Sequence, residues 1–432
     1  MRRILLKSKI GPFLLQLIFL ILKVSNAISL KLSQMKKLLA LTVVAGIFTA
    51  CNKDNSPPVV KPLTFQNFTP YTDGPGAPVT ITGSSFGYII GNITVSFNGT
   101  VANIISTADT VLVVTVPEGG KDGKISVSVN KQTVHSSQDF IFLKGVWIKR
   151  ADLIGPGEFK LGSTGFSIDG KGYVAFGSTF NNIYDTASND VGLYQYDTLF
   201  KTWTRKADLP GSGRHEAAVA VTAGKAFLIG GSIDDIVGQE LWTYDPAIDQ
   251  WSQKASFPGL PRVDATAFTI NDKIYFGTGN GLNYQDRDWW QYDPATDIWT
   301  QKADFPGTFP RAGSGFSIEG KGFLGIGVDS NEWWQYDATT DVWTRKADFP
   351  LTVKYASGSF VIAAKGYIVA GSNSSTWEYD PANDSWTQKT SFYQPRDAGY
   401  SFSISNLGYF GCGSNPDYGL YLNKDCWTFD PQ

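Results

Sequence analysis

"WWQYDPATDIWTQKADFP" occupies residues 289–306 and returns as "WWQYDATTDVWTRKADFP" over residues 333–350. Working outward, the same grammar recurs along most of the chain. A tryptophan followed three residues later by Lys or Arg begins at Trp147, Trp203, Trp251, Trp299, Trp343 and Trp386. An aromatic–Asp unit precedes five of these: "YQYDT" (194–198), "WTYDP" (242–246), "WQYDP" (290–294), "WQYDA" (334–338) and "WEYDP" (377–381), with a sixth copy, "WTFDP", at 427–431. Upstream of each lies a glycine-rich apolar strand, from "KGYVAFGS" (171–178) to "LGYFGCGS" (407–414), and before that another apolar strand such as "AGSGFSIEG" (312–320). Units of roughly 45 residues with four strands each are blades of a β-propeller. Within a unit, "YDPATDIW" reads as a hairpin, Asp293 and Pro294 suiting the first two places of a type I turn.

The glycine-rich second strand, "YDP" third strand and Trp-led fourth strand resemble kelch repeats over residues 147–432. The ends of the array are complementary. Trp147 has no aromatic–Asp unit before it, and Phe429–Asp430 has no Trp strand after it. The strand at 147–151 is therefore expected to dock as the outer strand of the blade formed by 396–430. That closes six blades into a ring and removes two open sheet edges.

Residues 63–143 alternate apolar and polar positions in short bursts separated by turn residues, which gives a small all-β sandwich. Its "FTP" (68–70), "ITGSSFG" (81–87), "VSFNG" (95–99) and "VTVPEG" (114–119) resemble an IPT/TIG immunoglobulin-like domain. His135 falls on a polar edge of it.

The first fifty residues read as a leader. An apolar run at 13–24 stands behind Arg2 and Arg3, and "MKKLLALTVVAGIFTAC" (35–51) has the basic start, apolar centre and small residues of a secretory signal. Met35 reads as the true start. "FTAC" resembles a bacterial lipobox, with Phe48 where Leu is usual, and the resemblance implies lipidation of Cys51. The polar, proline-containing stretch 51–62 is then a tether. The expected location is the cell envelope, outer membrane, with membrane contact through the lipid alone. In an exported protein Cys412 and Cys426, the two cysteines left over, are expected to pair.

Composition narrows function. A net charge of −2 excludes a typical nucleic-acid binder. Two histidines, His135 and His215, are too few for a His-rich metal centre, so neither a metal nor a cofactor is expected. The kelch-type copper oxidase acting on galactose needs two histidine and two tyrosine ligands, and the propeller has only His215.

One repeated position gathers well. A basic residue stands ahead of each inner strand: Lys160, Arg214, Arg262, Arg311, Lys354 and Arg396. Six-fold geometry predicts a cationic ring at one mouth of the central channel, suited to an anionic ligand or acidic peptide. Glu216 and Asp264 follow two of these arginines by two residues, pointing the same way. They are candidates for acid–base work, with His215, Tyr355 and Asp397 nearby. Long loops on the same face carry Tyr184, Tyr284, Tyr418 and Tyr421, whose rings suit sugars or protein partners. The sequence favours non-catalytic recognition of a glycan or protein. Behind that reading stands a cofactor-free sugar epimerase or mutarotase, since exported six-bladed kelch proteins that interconvert sialic acid anomers look similar. A purely structural adhesion module is the third reading.

Overall fold

The computed structural model describes residues 61–432 except 158, 181–187, 234–235, 282–285, 309–310, 312, 354–355, 372, 416–420 and 423. The leader, Cys51 and most of the tether lie outside the described residues.

Residues 64–142 build two facing sheets. One orders its strands Thr64–Thr69, Pro78–Ser84, Val111–Thr115 and Ile104–Thr107; the other runs Thr72–Asp73, Gln132–Phe142, Gly123–Val129, Ile93–Phe97 and Thr100–Val101. The alternating pattern does what a half-buried strand requires. Val79 and Ile81, Leu112 and Val114, Val95 and Phe97, Ile125 and Val127 all turn inward and are fully buried.

The rest of the chain forms six four-stranded antiparallel sheets, all-β throughout. Blades 1 to 5 take their four strands in chain order, their inner strands being Thr164–Ile168, Ala218–Thr222, Thr266–Ile270, Ser314–Ile318 and Ala356–Ile362. Blade 6 combines Tyr400–Ile404, Leu407–Gly411 and Cys426–Asp430 with Val146–Lys149 as its outermost strand, Trp147 lying opposite Phe429. Each inner strand packs on those of its two neighbours, and that of blade 6 packs on that of blade 1, so the ring is closed. The expected closure by the strand at Trp147 is what the structure has.

The repeated text is the glue of this ring. In every blade the fourth-strand indole Nε1 donates to a backbone carbonyl of the preceding blade, at 2.9–3.1 Å: Trp203 to Ala151, Trp251 to Ala207, Trp299 to Ala255, Trp343 to Ala303, Trp386 to Ala347 and Trp147 to Thr390. Two residues before four of these tryptophans an aspartate in left-handed conformation adds a second latch. Asp249, Asp297, Asp341 and Asp384 each accept their own blade's Tyr hydroxyl and the N–H of an alanine one blade back. The corresponding place in blade 6 is Gly145, with φ of +100° and no side chain to offer. There the sandwich supplies the carboxylate instead: Asp73 accepts the N–H of Ser391 at 2.9 Å, while Thr390 donates its own N–H to Lys144 O at 3.0 Å and its hydroxyl to Gly145 O.

Candidate functional site

Four of the six basic residues expected to ring the channel do not do so. Lys160, Arg214, Arg262 and Arg396 are only 1–2% exposed. Each runs back into its own blade and meets a carboxylate at the approach to the third strand. Lys160 binds Asp190, and Arg214 lies 3.5 Å from Glu240. Arg262 makes a two-pronged contact with Asp288, at 2.6 and 3.1 Å, and Arg396 binds Asp425. The three guanidinium groups also donate to carbonyls at the end of the second strand, Gly230, Thr278 and Cys412. A buried cation needs a carboxylate and acceptors around it. These four residues are intra-blade bolts, and burial lowers the pKa of Lys160 even with Asp190 beside it. Lys354 lies outside the described residues.

Arg311 is different, by one residue of spacing. Phe268 follows Arg262 by six residues and Phe402 follows Arg396 by six, each pairing into its second strand. Phe316 follows Arg311 by only five. An offset of one turns a side chain to the other face. The bolt's carboxylate in blade 4, Glu332, accepts instead from Thr308 and sits 3.6 Å from Arg345. Arg311 is left half-exposed at the channel mouth, its Nε 3.4 Å from Asp264 Oδ2.

That mouth is a cavity of about 420 Å³ whose walls include Gly162, Ser163, Gly313, Gly399 and Ser414, with Glu216, Asp264, Arg311 and Asp397 as its charged groups. A belt of backbone hydrogen bonds runs round it from blade to blade. Gly162 N donates to Ala398 O at 3.0 Å, Glu216 N to Gly162 O at 2.9 Å, and Asp264 N to Glu216 O at 3.4 Å. All four belt residues have left-handed backbone: φ is +65° at Gly162, +56° at Glu216, +54° at Asp264 and +49° at Ala398. Blades 1 and 6 fill the place with small residues. Blades 2 and 3 fill it with acids in a conformation that non-glycine residues seldom adopt, which is the kind of strain that gathers at functional sites.

The electrostatics follow from this crowding. Burial, and then the nearby Asp264 charge, raise the Glu216 pKa to about 7, against the pull of Arg311. Burial also raises that of Asp264, opposed by Arg311 and His215. Two carboxyls in one partly dry cavity resist ionising together. Glu216 lines the cavity and makes no side-chain hydrogen bond among the described residues. His215 stands on the rim, its Nδ1 3.0 Å from Asn189 Oδ1. An amide oxygen only accepts, so Nδ1 carries the proton. The structure thus brings Glu216, Asp264, Arg311 and Asp397 to one cavity with His215 at its edge.

Tyr184, Tyr284, Tyr418 and Tyr355 lie outside the described residues. Of Tyr421 only the backbone is described, in a short strand paired with Ser414–Asn415. Cys412 and Cys426 are both buried free thiols, not the expected disulfide. Cys426 stands opposite Gly411, one register position away from Cys412, and Cys412 turns off the strand at φ +55°. The bolt carboxylates were not foreseen, though a signal exists: Glu240, Asp288, Glu332 and Asp425 each immediately precede a third strand.

Comparison with known proteins bears on both modules. Residues 63–142 match the IPT/TIG domain family. The IPT/TIG sandwich is thus recognisable in sequence as well as in structure. Among solved structures, the chain is similar to one titled "Structure of YjhT", at 16% identity and a TM-score of 0.53, over 64% of this chain and 95% of that one. At that identity the likeness concerns fold alone. No curated protein sequence matches the chain.

Proposed function

We propose that this chain is an exported, lipid-anchored protein of kelch type that binds the end of a neutral, hydroxyl-rich glycan in the mouth of its propeller. An IPT/TIG sandwich joined to a propeller is the architecture of a binding or structural module. The observation that carries the finer reading is the cavity holding Glu216, Asp264 and Arg311. Its volume is at the small-ligand end of the usual range. Its glycine and serine walls let a polar ring approach backbone groups, and carboxylates with an arginine suit vicinal hydroxyls. An anionic guest is disfavoured, because four of the expected cations are already neutralised inside the blades and Arg311 faces Asp264. The lipobox-like "FTAC" and the signal-like stretch before it support the envelope placement.

Titration of the purified protein with neutral mono- and oligosaccharides, followed by calorimetry or saturation-transfer NMR, tests this. Binding that disappears in Glu216→Gln and Arg311→Ala, but persists in a folded variant altered elsewhere, supports it. A broad panel without any binding overturns it.

A second reading is favoured by one specific observation, the Glu216 and Asp264 carboxyls sharing one cavity, where burial and the Asp264 charge push the Glu216 pKa up to about 7. A group so poised can pass a proton at pH 7, and paired carboxyls with separated pKa values are a common acid–base arrangement. Anomer exchange of a bound sugar needs no more than such a shuttle. An accelerated approach to anomeric equilibrium, lost in Glu216→Gln, distinguishes catalysis from binding alone.

A further inference from the structure

The sandwich has two ends with opposite characters. At one end Asp73 and the residues after Phe142 meet the propeller. At the other end the chain arrives from the tether: Pro62 O accepts from the Ser84 hydroxyl at 2.9 Å, and Thr64 lies opposite Ser84. The strand Pro78–Ser84 connects the two ends, a span of about 20 Å at the usual rise per residue. The loop after Ser84 is therefore carried on the end remote from the propeller.

This loop forms an apolar tip. Phe86 is buried and roots it, and the Phe86 N–H donates to Asp109 O. Beyond it Tyr88, Ile89 and Ile90 are 75%, 65% and 46% exposed. The neighbouring strand Ile104–Thr107 adds Ile105, which sits at an irregularity in the pairing and is 52% exposed. Bulges of this kind re-aim a side chain. The Thr107 hydroxyl, donating to Gly87 O, ties this strand to the tip at 2.7 Å. Scattered exposed apolar residues are ordinary, but three consecutive ones rooted by a buried phenylalanine form a patch that calls for a partner.

Charge and chain path identify the partner. Between Lys61 and Asp109 the one charged residue is Asp73, and it is buried at the opposite end. The run Tyr88–Ile90 is itself uncharged, and isoleucines with a tyrosine suit the interfacial region of a bilayer, where an aromatic ring keeps its hydroxyl wet and flanking ionic residues stay in water. Cys51 stands eleven residues before Pro62, a reach of at most about 40 Å. Among the described residues no helix is long and apolar enough to cross a membrane.

We infer that Tyr88, Ile89 and Ile90 insert into the lipid surface beside the anchor, as a second foot that stands the sandwich upright and turns the propeller away from the membrane. This rests on the anchored placement proposed above. The occupant is a lipid surface and not an acidic one in particular, since Tyr88, Ile89 and Ile90 carry no charge and the ionic residues at that end, Lys61, Lys131 and Asp109, are of both signs.

The test separates the tip from the anchor. The chain from Asn52 onward, comprising the tether and both folded modules, is held by an N-terminal hexahistidine tag on phosphatidylcholine vesicles containing a nickel-chelating lipid. A nitroxide is placed at Ile89→Cys or, as a control, at Val101→Cys, which is 65% exposed and pairs with Ser96 away from the tip. The buried Cys412 and Cys426 are protected from the label. Expected is a label at 89 that collides preferentially with oxygen over a water-soluble nickel complex, by several-fold relative to the label at 101. Raising salt leaves that ratio unchanged. Insertion is overturned if both labels report water, or if the preference at 89 vanishes with salt. The anchor is checked independently by the mass of the mature protein, where an unacylated Cys51 sinks the anchored placement without touching the vesicle result.

Discussion

Asp73 of the IPT/TIG sandwich accepts the backbone N–H of Ser391 of the propeller at 2.9 Å. It also accepts the N–H of Gly74 at 2.8 Å and is only 5% exposed. Its position is where the aspartate latch is missing, because blade 6 has Gly145 at the place that Asp249, Asp297, Asp341 and Asp384 occupy in their blades. With Thr390 also bonded to Lys144 and Gly145, the two modules share their hydrogen bonds at the joint. Gly74 packs so close to Thr390 that a Cβ there would fall 1.5 Å from its hydroxyl oxygen.

Asp73→Ala leaves the Ser391 and Gly74 N–H groups without their acceptor and is expected to destabilise the protein by about 1–3 kcal/mol. Burial raises the Asp73 pKa, against the backbone N–H groups that favour the charge. For a carboxyl whose pKa is raised on folding, the stability contribution is full below its unfolded pKa and is lost as pH rises through the folded value. Asp73→Asn keeps an acceptor without the charge. It is therefore expected to match or exceed the parent melting temperature at pH 7 and to lose that advantage at pH 4. Calorimetric scans at the two pH values check both statements.

Trp147 both closes the ring and begins immediately after the sandwich. Trp147→Phe removes one indole hydrogen bond to Thr390 and is expected to cost about 1 kcal/mol. Trp147→Ala also empties the packing against Phe392 and Phe429, whose ring centroids lie 4.9 and 5.0 Å away, and is expected to cost about 3–5 kcal/mol. Urea unfolding measures the pair. Equal losses in the two variants would contradict the assignment of most of the energy to packing.

The propeller, its blade count and its closure were legible in the sequence because they rest on a repeat. Six copies of Trp, Tyr or Phe, and Gly report the same contacts, and the unmatched ends at Trp147 and Phe429 specify how the ring shuts. The candidate site was only half legible. Glu216 and Asp264 stood out because they break the repeat. Their arginine was misread, since Arg262 and Arg311 look equivalent until their distances to Phe268 and Phe316 are counted. The burial of Lys160, Arg214, Arg262 and Arg396 was hidden for another reason. Their carboxylates come from residues up to 30 positions away, and a basic residue before a strand reads the same whether it points at solvent or into a blade.

Cys412 and Cys426 are buried, and burial raises both thiol pKa values, that of Cys426 to about 12. The thiolate is the reactive form. Neither cysteine is expected to react with a thiol-specific reagent at pH 8 in the native protein, and reducing agent is expected to leave the melting temperature unchanged. Both react once the protein is unfolded. A mass lower by two hydrogens in the unreduced protein would instead establish a disulfide.

Arg262 and Arg311 offer the sharpest separation of scaffold from site. Arg262→Ala abandons a carboxylate, Asp288, in a place built for a pair, and is expected to destabilise the protein by about 3–5 kcal/mol. Arg311→Ala removes a half-exposed side chain but also the cation beside the largely buried Asp264, and is expected to cost about 1 kcal/mol, well short of Arg262→Ala, while abolishing glycan binding. It also takes away the charge that opposes protonation of Glu216, so the Glu216 pKa moves further up. The folded pKa of Glu216 is raised to about 7, so its stability contribution is complete below its unfolded value and fades as pH climbs towards 7. Glu216→Gln is thus expected to be more stable than the parent at pH 8, by about 1–3 kcal/mol, and no more stable at pH 4. Chemical denaturation at both pH values, with ligand titration on the same samples, reads all three substitutions together. Loss of binding with only a small loss of stability in Arg311→Ala, set against a large loss of stability with binding retained in the folded fraction of Arg262→Ala, places the ligand at the channel mouth and the buried cations inside the scaffold.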